Sequence, residues 1–255
     1  MTTGYPLAYA GGSNGPAPGS GDSKLNVEYH RMHRAVAAVL AGLALAILCG
    51  LFFAWLGEEV LDGETLHFDN RILALVHGDS RPALTQGLLL VTWIGSTAPV
   101  IALTLVALAV FWLRNRRRDA VVLAITIVGA SVLMYFLKIG FHRVRPPPYF
   151  GLAPLQSFSF PSGHSLVAFC FYGVLAHLVN SRIQQFAVRA GIWALAVLMV
   201  LLIGFSRIYL GFHYPTDVLA GYAAGIVWVF AIVLAEPLIG RHKNNSIKER
   251  YVENR

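Results

Sequence analysis

Residues 190–217 read AGIWALAVLMVLLIGFSRIYLGFHYPTD. The first sixteen, 190–205, carry no charge. Ser206-Arg207 then breaks the run, His213 follows, and Pro215 and Asp217 open another apolar stretch at 216–238. Uncharged stretches of this kind suit helices that cross lipid, and polar groups gathered where one stretch ends and the next begins place chemistry at a membrane surface. The same arrangement occurs twice more. Lys138 lies near the end of the apolar run 120–141 and is followed by Arg145-Pro146, and Pro161-Ser162-Gly163-His164 opens the run 164–179.

Composition agrees with that reading. Hydrophobic residues make up 56% of the 255 and charged residues only 13%, so much apolar surface must face lipid rather than a water-shielded core. Counting outward from 190–217, six runs are expected to span: 34–56, 84–113, 120–141, 164–179, 190–205 and 216–238. The second contains Gly95-Ser96-Thr97-Ala98-Pro99, where proline removes a backbone donor and crowds the preceding turn, so a kink is expected there. The fold class is therefore all-α: a polytopic membrane protein, six transmembrane helices in a bundle. Gly221-Tyr222-Ala223-Ala224-Gly225 gives the sixth span a small-residue face for close contact with another helix, in this chain or another copy.

The net charge of +7 does not point to nucleic acid, because the basic residues lie in short clusters beside apolar runs, as topology signals do. With the N-terminus in the cytoplasm, fourteen of the twenty Lys and Arg fall in cytoplasmic segments, the cluster Arg114, Arg116, Arg117 and Arg118 among them. All three motif blocks then reach the extracytoplasmic mouth of the bundle. Residues 1–30, rich in Gly, Pro and Ser, are expected to be a disordered cytoplasmic tail, 31–240 the membrane domain, and 241–255 a basic cytoplasmic tail. The first span has no small-residue cleavage site after it and is read as a retained helix. The outer segment 57–84 carries Phe68, Ile72, Leu73, Leu75 and Val76 at roughly helical spacing, which suits either an amphipathic helix on the headgroup layer or a solvated loop with one packed turn. Cys49 and Cys170 lie inside apolar runs and receive no chemistry.

The chemistry is concentrated in eight residues. Ser162 is a natural N-cap for the helix that follows, whose first amides face any bound anion, and Gly163 lets the backbone come close to it. Lys138, Arg145 and Arg207 add cations. One such cation at a membrane edge commonly just snorkels, but three converging on one face do not fit that explanation. His213 and Asp217 stand four apart with Pro215 between them at an expected first helical position, so the carboxylate can hold one ring nitrogen and leave the other to attack. His164 supplies an acid. His142 is read as interfacial, and His67 and His77 as ordinary surface residues.

These blocks resemble the signature of the type 2 phosphatidic acid phosphatase superfamily: Lys, six residues, Arg-Pro; Pro-Ser-Gly-His; Ser-Arg, five residues, His, three residues, Asp. All eleven specified positions occur here between residues 138 and 217. The resemblance implies that His213 attacks phosphorus to form a phosphohistidine, that Asp217 orients it, and that His164 protonates the leaving oxygen and later activates water. Lys138, Arg145, Ser162, Gly163 and Arg207 would hold the phosphoryl oxygens. No metal and no cofactor are implied, since the outer segments between the blocks offer no cluster of spare carboxylates. The expected activity is hydrolysis of a terminal phosphate from a lipid phosphate in the bilayer, of the phosphatidic acid, phosphatidylglycerol phosphate or polyprenyl diphosphate type. Three other readings use the same residues: a lipid phosphotransferase, a vanadium-dependent haloperoxidase, which six lipid-facing spans argue against, and a non-catalytic lipid-binding protein, which the intact motifs argue against.

Overall fold

The computed structural model describes residues 1, 20–78 and 80–253. Among them all regular structure is helical, in the order α1 (Ser20–Leu61), α2 (Leu66–Gly78), α3 (Pro82–Ile94), α4 (Thr97–Leu113), α5 (Arg117–Phe141), α6 (Gly163–Asn180), α7 (Phe186–Tyr209) and α8 (Pro215–Glu253). Residues 1–43 and 44–255 form separate compact units. The first is described only by the helical stretch that begins at Ser20, and the second is a bundle. Five helices are long and apolar enough to cross a membrane by themselves, and α3 with α4, bent by 51°, makes a sixth crossing if the pair counts as one. This is a multi-pass membrane protein, as the apolar runs required.

Four expectations need correction. The stretch from Ser20 to residue 30 is helical rather than a disordered tail, because after Gly21 it holds no helix breaker and runs straight into the first span; residues 2–19 lie outside the described residues. The fifth span is longer than 190–205: α7 extends from Phe186 to Tyr209, since a charged residue ends an apolar run but not a helix. The segment 57–84 does hold the amphipathic helix α2, yet α2 is not simply laid on lipid. Its outer face exposes Leu66, Phe68 and Leu75, while Asp69 and Leu73 are buried. His77 is likewise no ordinary surface residue. Its ring stacks on Tyr149 with centroids 3.2 Å apart, and its Nδ1 and Nε2 lie 2.5 Å from the Leu73 carbonyl and 2.6 Å from the Tyr209 carbonyl, tying α2 to the end of α7.

The expected kink is a break. Ser96, extended at φ −79° and ψ 165°, caps α4, and Pro99 falls in the first turn, where its missing N–H has no intrahelical partner to lose. Gly95 is needed there because a Cβ would stand 2.6 Å from Ile203 of α7.

Helix α6 is the centre of the bundle, packed against α5, α7 and α8. Leu123, Phe171, Val174 and Leu178 fill the core between them, while Leu195, Leu198 and Leu201 of α7 remain exposed on its outer side, as lipid-facing residues must. The small-residue face of α8 is used within the chain. A Cβ at Gly221 would lie 2.7 Å from the Ser162 carbonyl oxygen and 2.9 Å from Ser165 Cβ, and one at Gly225 would touch Phe169. The bare backbone of α8 thus rests on the first turn of α6, and Ser162 N–H donates to the Asp217 carbonyl at 2.9 Å.

Gly221→Ala must therefore push α8 off the start of α6. The expected cost is about 1–3 kcal/mol, seen as a lower melting temperature in detergent together with lost activity. Gly173→Ala in α6, where a Cβ meets nothing within 4 Å, should lose neither.

Candidate active site

Pro215 starts α8 and Ser162 caps α6, so the two helices begin side by side at one end of the bundle, where α5 and α7 also end. The Ser162 side chain accepts from Ser165 N–H, leaving the Gly163 and His164 amides at the uncapped tip. Between these ends lies a cleft of about 330 Å³ lined by Lys138, Arg145, Gly163, His164, Arg207 and His213. Six of the eight residues expected from sequence meet there. Ser162 and Asp217 are fully buried, and neither lines the cleft. The Ser162 hydroxyl accepts from the Ser165 hydroxyl at 2.9 Å. His142 is exposed and edge-on to Phe158, and His67 is exposed.

His213 is 1% exposed. Its Nδ1 lies 3.3 Å from Asp217 Oδ2, and its Nε2 lies 3.0 Å from Arg145 Nη1. Because a guanidinium can only donate, Nε2 must be the acceptor, which puts the ring proton on Nδ1 facing the carboxylate. The acceptor nitrogen is thus the one held by Arg145, which lines the cleft with His213. Burial, and then the charges of Arg145, Arg207 and Lys138, push the His213 pKa well below the ordinary imidazole range, in the direction of the neutral tautomer that the Arg145 contact requires. Asp217 Oδ2 also accepts from Tyr214 N–H at 2.9 Å and from the Ser159 hydroxyl.

The cations are anchored rather than loose. Arg145 donates through Nε to the Ser157 carbonyl at 2.6 Å, through Nη1 to the Phe212 carbonyl at 2.5 Å and to His213, and through Nη2 to Ser157 Oγ and the Phe158 carbonyl. Lys138 Nζ donates to the same Phe158 carbonyl. Arg207, 3% exposed, lies over the Phe212 ring and donates from Nη1 to Thr92 Oγ1 at 2.7 Å, while its buried Nε has no protein partner. A buried guanidinium N–H left over beside a cationic cleft is an anion donor in waiting.

Sequence reading missed Ser159, Arg143, Asp69, Thr65 and Thr216. Arg143 Nη1 bonds Asp217 Oδ1 at 2.6 Å and Nη2 bonds Asp69 Oδ2 at 2.7 Å, so α2 is wired to the first turn of α8. Only Arg143 gave a signal: it stands two residues before Arg145 in an extended segment, where a second guanidinium invites a buried partner.

A neutral, carboxylate-paired imidazole under three cations is equipped for phosphoryl transfer, and the helices that carry it set that chemistry in a membrane. Comparison with known proteins points the same way. Residues 119–240 match the PAP2 superfamily. The chain is 28% identical to phosphatidylglycerophosphatase B of Bacillus subtilis over 186 residues, 71% of this chain and 90% of that protein. It is 30% identical to an undecaprenyl-diphosphatase of Sulfolobus acidocaldarius over 132 residues, half of this chain and 57% of the relative. The crystal structure of a transmembrane PAP2-type phosphatidylglycerolphosphate phosphatase from Bacillus subtilis superposes with a TM-score of 0.71 at 28% identity, covering 77% of this chain and 98% of that one. Residues 119–240 are thus similar to the PAP2 superfamily, and the relatives found are named phosphatases.

The direction of the His213 shift makes a test. With carbon-labelled histidine in micelles, its ring signal should stay neutral from pH 7.5 to 5.5, whereas an ordinary imidazole titrates near 6.5. The unfolded chain takes up that proton and the folded one does not, so His213 contributes a loss of stability as the pH falls below about 6.5. A His213→Gln variant should therefore melt with a weaker acid dependence than wild type.

Proposed function

We propose that this protein hydrolyses the terminal phosphate of a lipid phosphate, of the phosphatidic acid, phosphatidylglycerol phosphate or polyprenyl diphosphate type, through a phosphohistidine on His213. The observation that carries the reading is the His213 ring, with its proton held toward Asp217 and its acceptor nitrogen Nε2 against Arg145 of the cleft. In the first step Nε2 forms a bond to phosphorus as the bond to the lipid oxygen breaks. His164, its imidazolium favoured by the phosphate dianion beside it, gives a proton to that oxygen. The ring of His213 becomes positive, and Asp217 stabilises it. In the second step water attacks phosphorus, its proton returns to His164, and phosphate leaves with the N–P bond broken. Lys138, Arg207 and the Gly163 amide hold the oxygens, and Arg145 joins them by exchanging the His213 contact for a phosphoryl oxygen.

The cleft also supports a lipid. Away from the cations its wall is Gly95, Val100, Ile101, Ile127, Met134 and Val167, an apolar path between α4, α5 and α6 that suits an acyl or prenyl chain. Each methylene buried there is worth roughly 0.8 kcal/mol. The arginines at 114–118 lie at the opposite end of α4 and α5 from the cleft, which favours cytoplasmic termini in a cell (inner) membrane and an extracytoplasmic site.

With lipid phosphate labelled at phosphorus, wild type should carry an acid-labile label, and His213→Ala should lose the label and at least roughly 10³-fold in turnover. Labelling of His213→Ala at the wild-type level would end the nucleophile assignment. A second measurement concerns the chain. Catalytic efficiency on one headgroup should fall as its chains are shortened at fixed detergent composition, with EDTA having no effect; efficiency that is constant down to a soluble phosphate would remove the lipid from the reading. Added lipid alcohols that capture the phosphoryl group in place of water would make the enzyme a transferase.

A further inference from the structure

Arg143, Asp69 and Thr216 form a buried cluster that the catalytic scheme does not use. Arg143 is 8% exposed, and Asp69 is fully enclosed. All four hydrogens on the two Arg143 amino groups are spent: Nη1 donates to Asp217 Oδ1 and to Thr216 Oγ1 at 2.8 Å, Nη2 to Asp69 Oδ2 and to Thr65 Oγ1 at 2.8 Å. Asp69 in turn accepts from the Thr216 hydroxyl at 2.7 Å and from the Thr216 N–H at 3.1 Å, at the start of α8. The guanidinium also lies 4.3 Å from the centre of the Tyr214 ring, which limits it to one plane. Together these bonds tie α2 and the segment after α5 to the turn that carries both His213 and Asp217.

We infer that Arg143, fixed by Asp69, is the positioning residue that sets the direction and the charge of the Asp217 carboxylate. The inference rests on the reading of His213 as nucleophile. Its physical basis is the division of labour between the two carboxylate oxygens: Oδ1 is taken by Arg143, so Oδ2 alone is turned toward Nδ1 of His213. A carboxylate with no exposure and no cation would take up a proton or leave its partner. Arg143 keeps it ionised, and by drawing off part of its charge keeps the shared proton on the imidazole, where the attacking tautomer needs it. Asp69 completes the device. It holds the far side of the guanidinium and the first turn of α8 at once, so neither can rotate away from the other. The amphipathic helix α2 thereby becomes part of the catalytic support.

The test uses the full chain in detergent, with Asp69→Asn and Arg143→Gln. Three quantities are read: kcat against KM, the melting temperature, and the tautomer of His213 by nitrogen-labelled histidine spectra. Asp69→Asn keeps the shape while releasing the guanidinium, and is expected to lower kcat by about tenfold or more with KM within about twofold, as loss of an orienting partner does. The His213 spectrum should change from a single Nδ1–H form to a mixture. Arg143→Gln leaves two buried carboxylates without a cation; if it does not fold, Asp69→Asn combined with Arg143→Gln removes one charge of each sign and carries the same readings. Wild-type kcat in these variants overturns the inference, and so does a fall in kcat that follows the melting temperature while the tautomer stays single. Turnover by His213→Ala, measured in parallel, would instead bring down the nucleophile reading, and the tautomer spectra would still report whether Arg143 orients the pair.

Discussion

The contact on which the site depends is the seating of α8 on the first turn of α6. Gly221 offers bare backbone to the Ser162 carbonyl, and Ser162 N–H reaches the Asp217 carbonyl, so two helix N-termini are fixed side by side. Both termini bring unpaired amides and the positive ends of helix dipoles to one place. Without that seating His164, on α6, and His213, just before α8, would have no common reference. The eight residues brought to this end come from four helix ends and two loops, and the packing of the α-helical core beneath them supports the hydrogen bonds that set their separations.

The electrostatic problem follows from that placement. Lys138, Arg145, Arg207 and Arg143 are brought within one region of low water content, against the carboxylates of Asp69 and Asp217. The protein answers by pairing Arg143 with the two carboxylates and giving the other three cations neutral acceptors. Carbonyls of Ser157, Phe158 and Phe212 take the hydrogens of Arg145 and Lys138, and Thr92 takes one of Arg207. These partners hold the side chains extended toward the cleft while leaving most of their charge uncompensated, which is the condition for attracting a polyanion.

What could be read from sequence was local or periodic. The spans were legible from apolar runs, and His213 and Asp217 from a spacing of four residues at a helix start, because such signals lie in adjacent residues. Asp69 and Arg143 were not, since they are 74 positions apart and each alone looks like a solvated loop charge. Ser159 was hidden for a similar reason: its hydroxyl matters only once α8 is in place to receive it. The ends of α1 and α7 were misjudged where hydropathy stopped but hydrogen bonding did not. His77 shows the same limit, because its partners are backbone carbonyls, one of them on a distant helix, which no side-chain pattern records.

The break between α3 and α4 has a consequence for how the protein fits its bilayer. Thirteen and seventeen residues of helix are together about 45 Å long, well beyond a hydrocarbon layer of about 30 Å. Set straight, the pair would thrust apolar side chains into water or thicken the surrounding lipid. The bend of 51° shortens its projection along the membrane normal instead. Hydrophobic matching is thus met by a joint at Gly95-Ser96 rather than by trimming the chain, and the backbone opened at that joint is covered by Ile203 and turned to the wall of the cleft, where it meets no hydrocarbon tail of the bulk membrane.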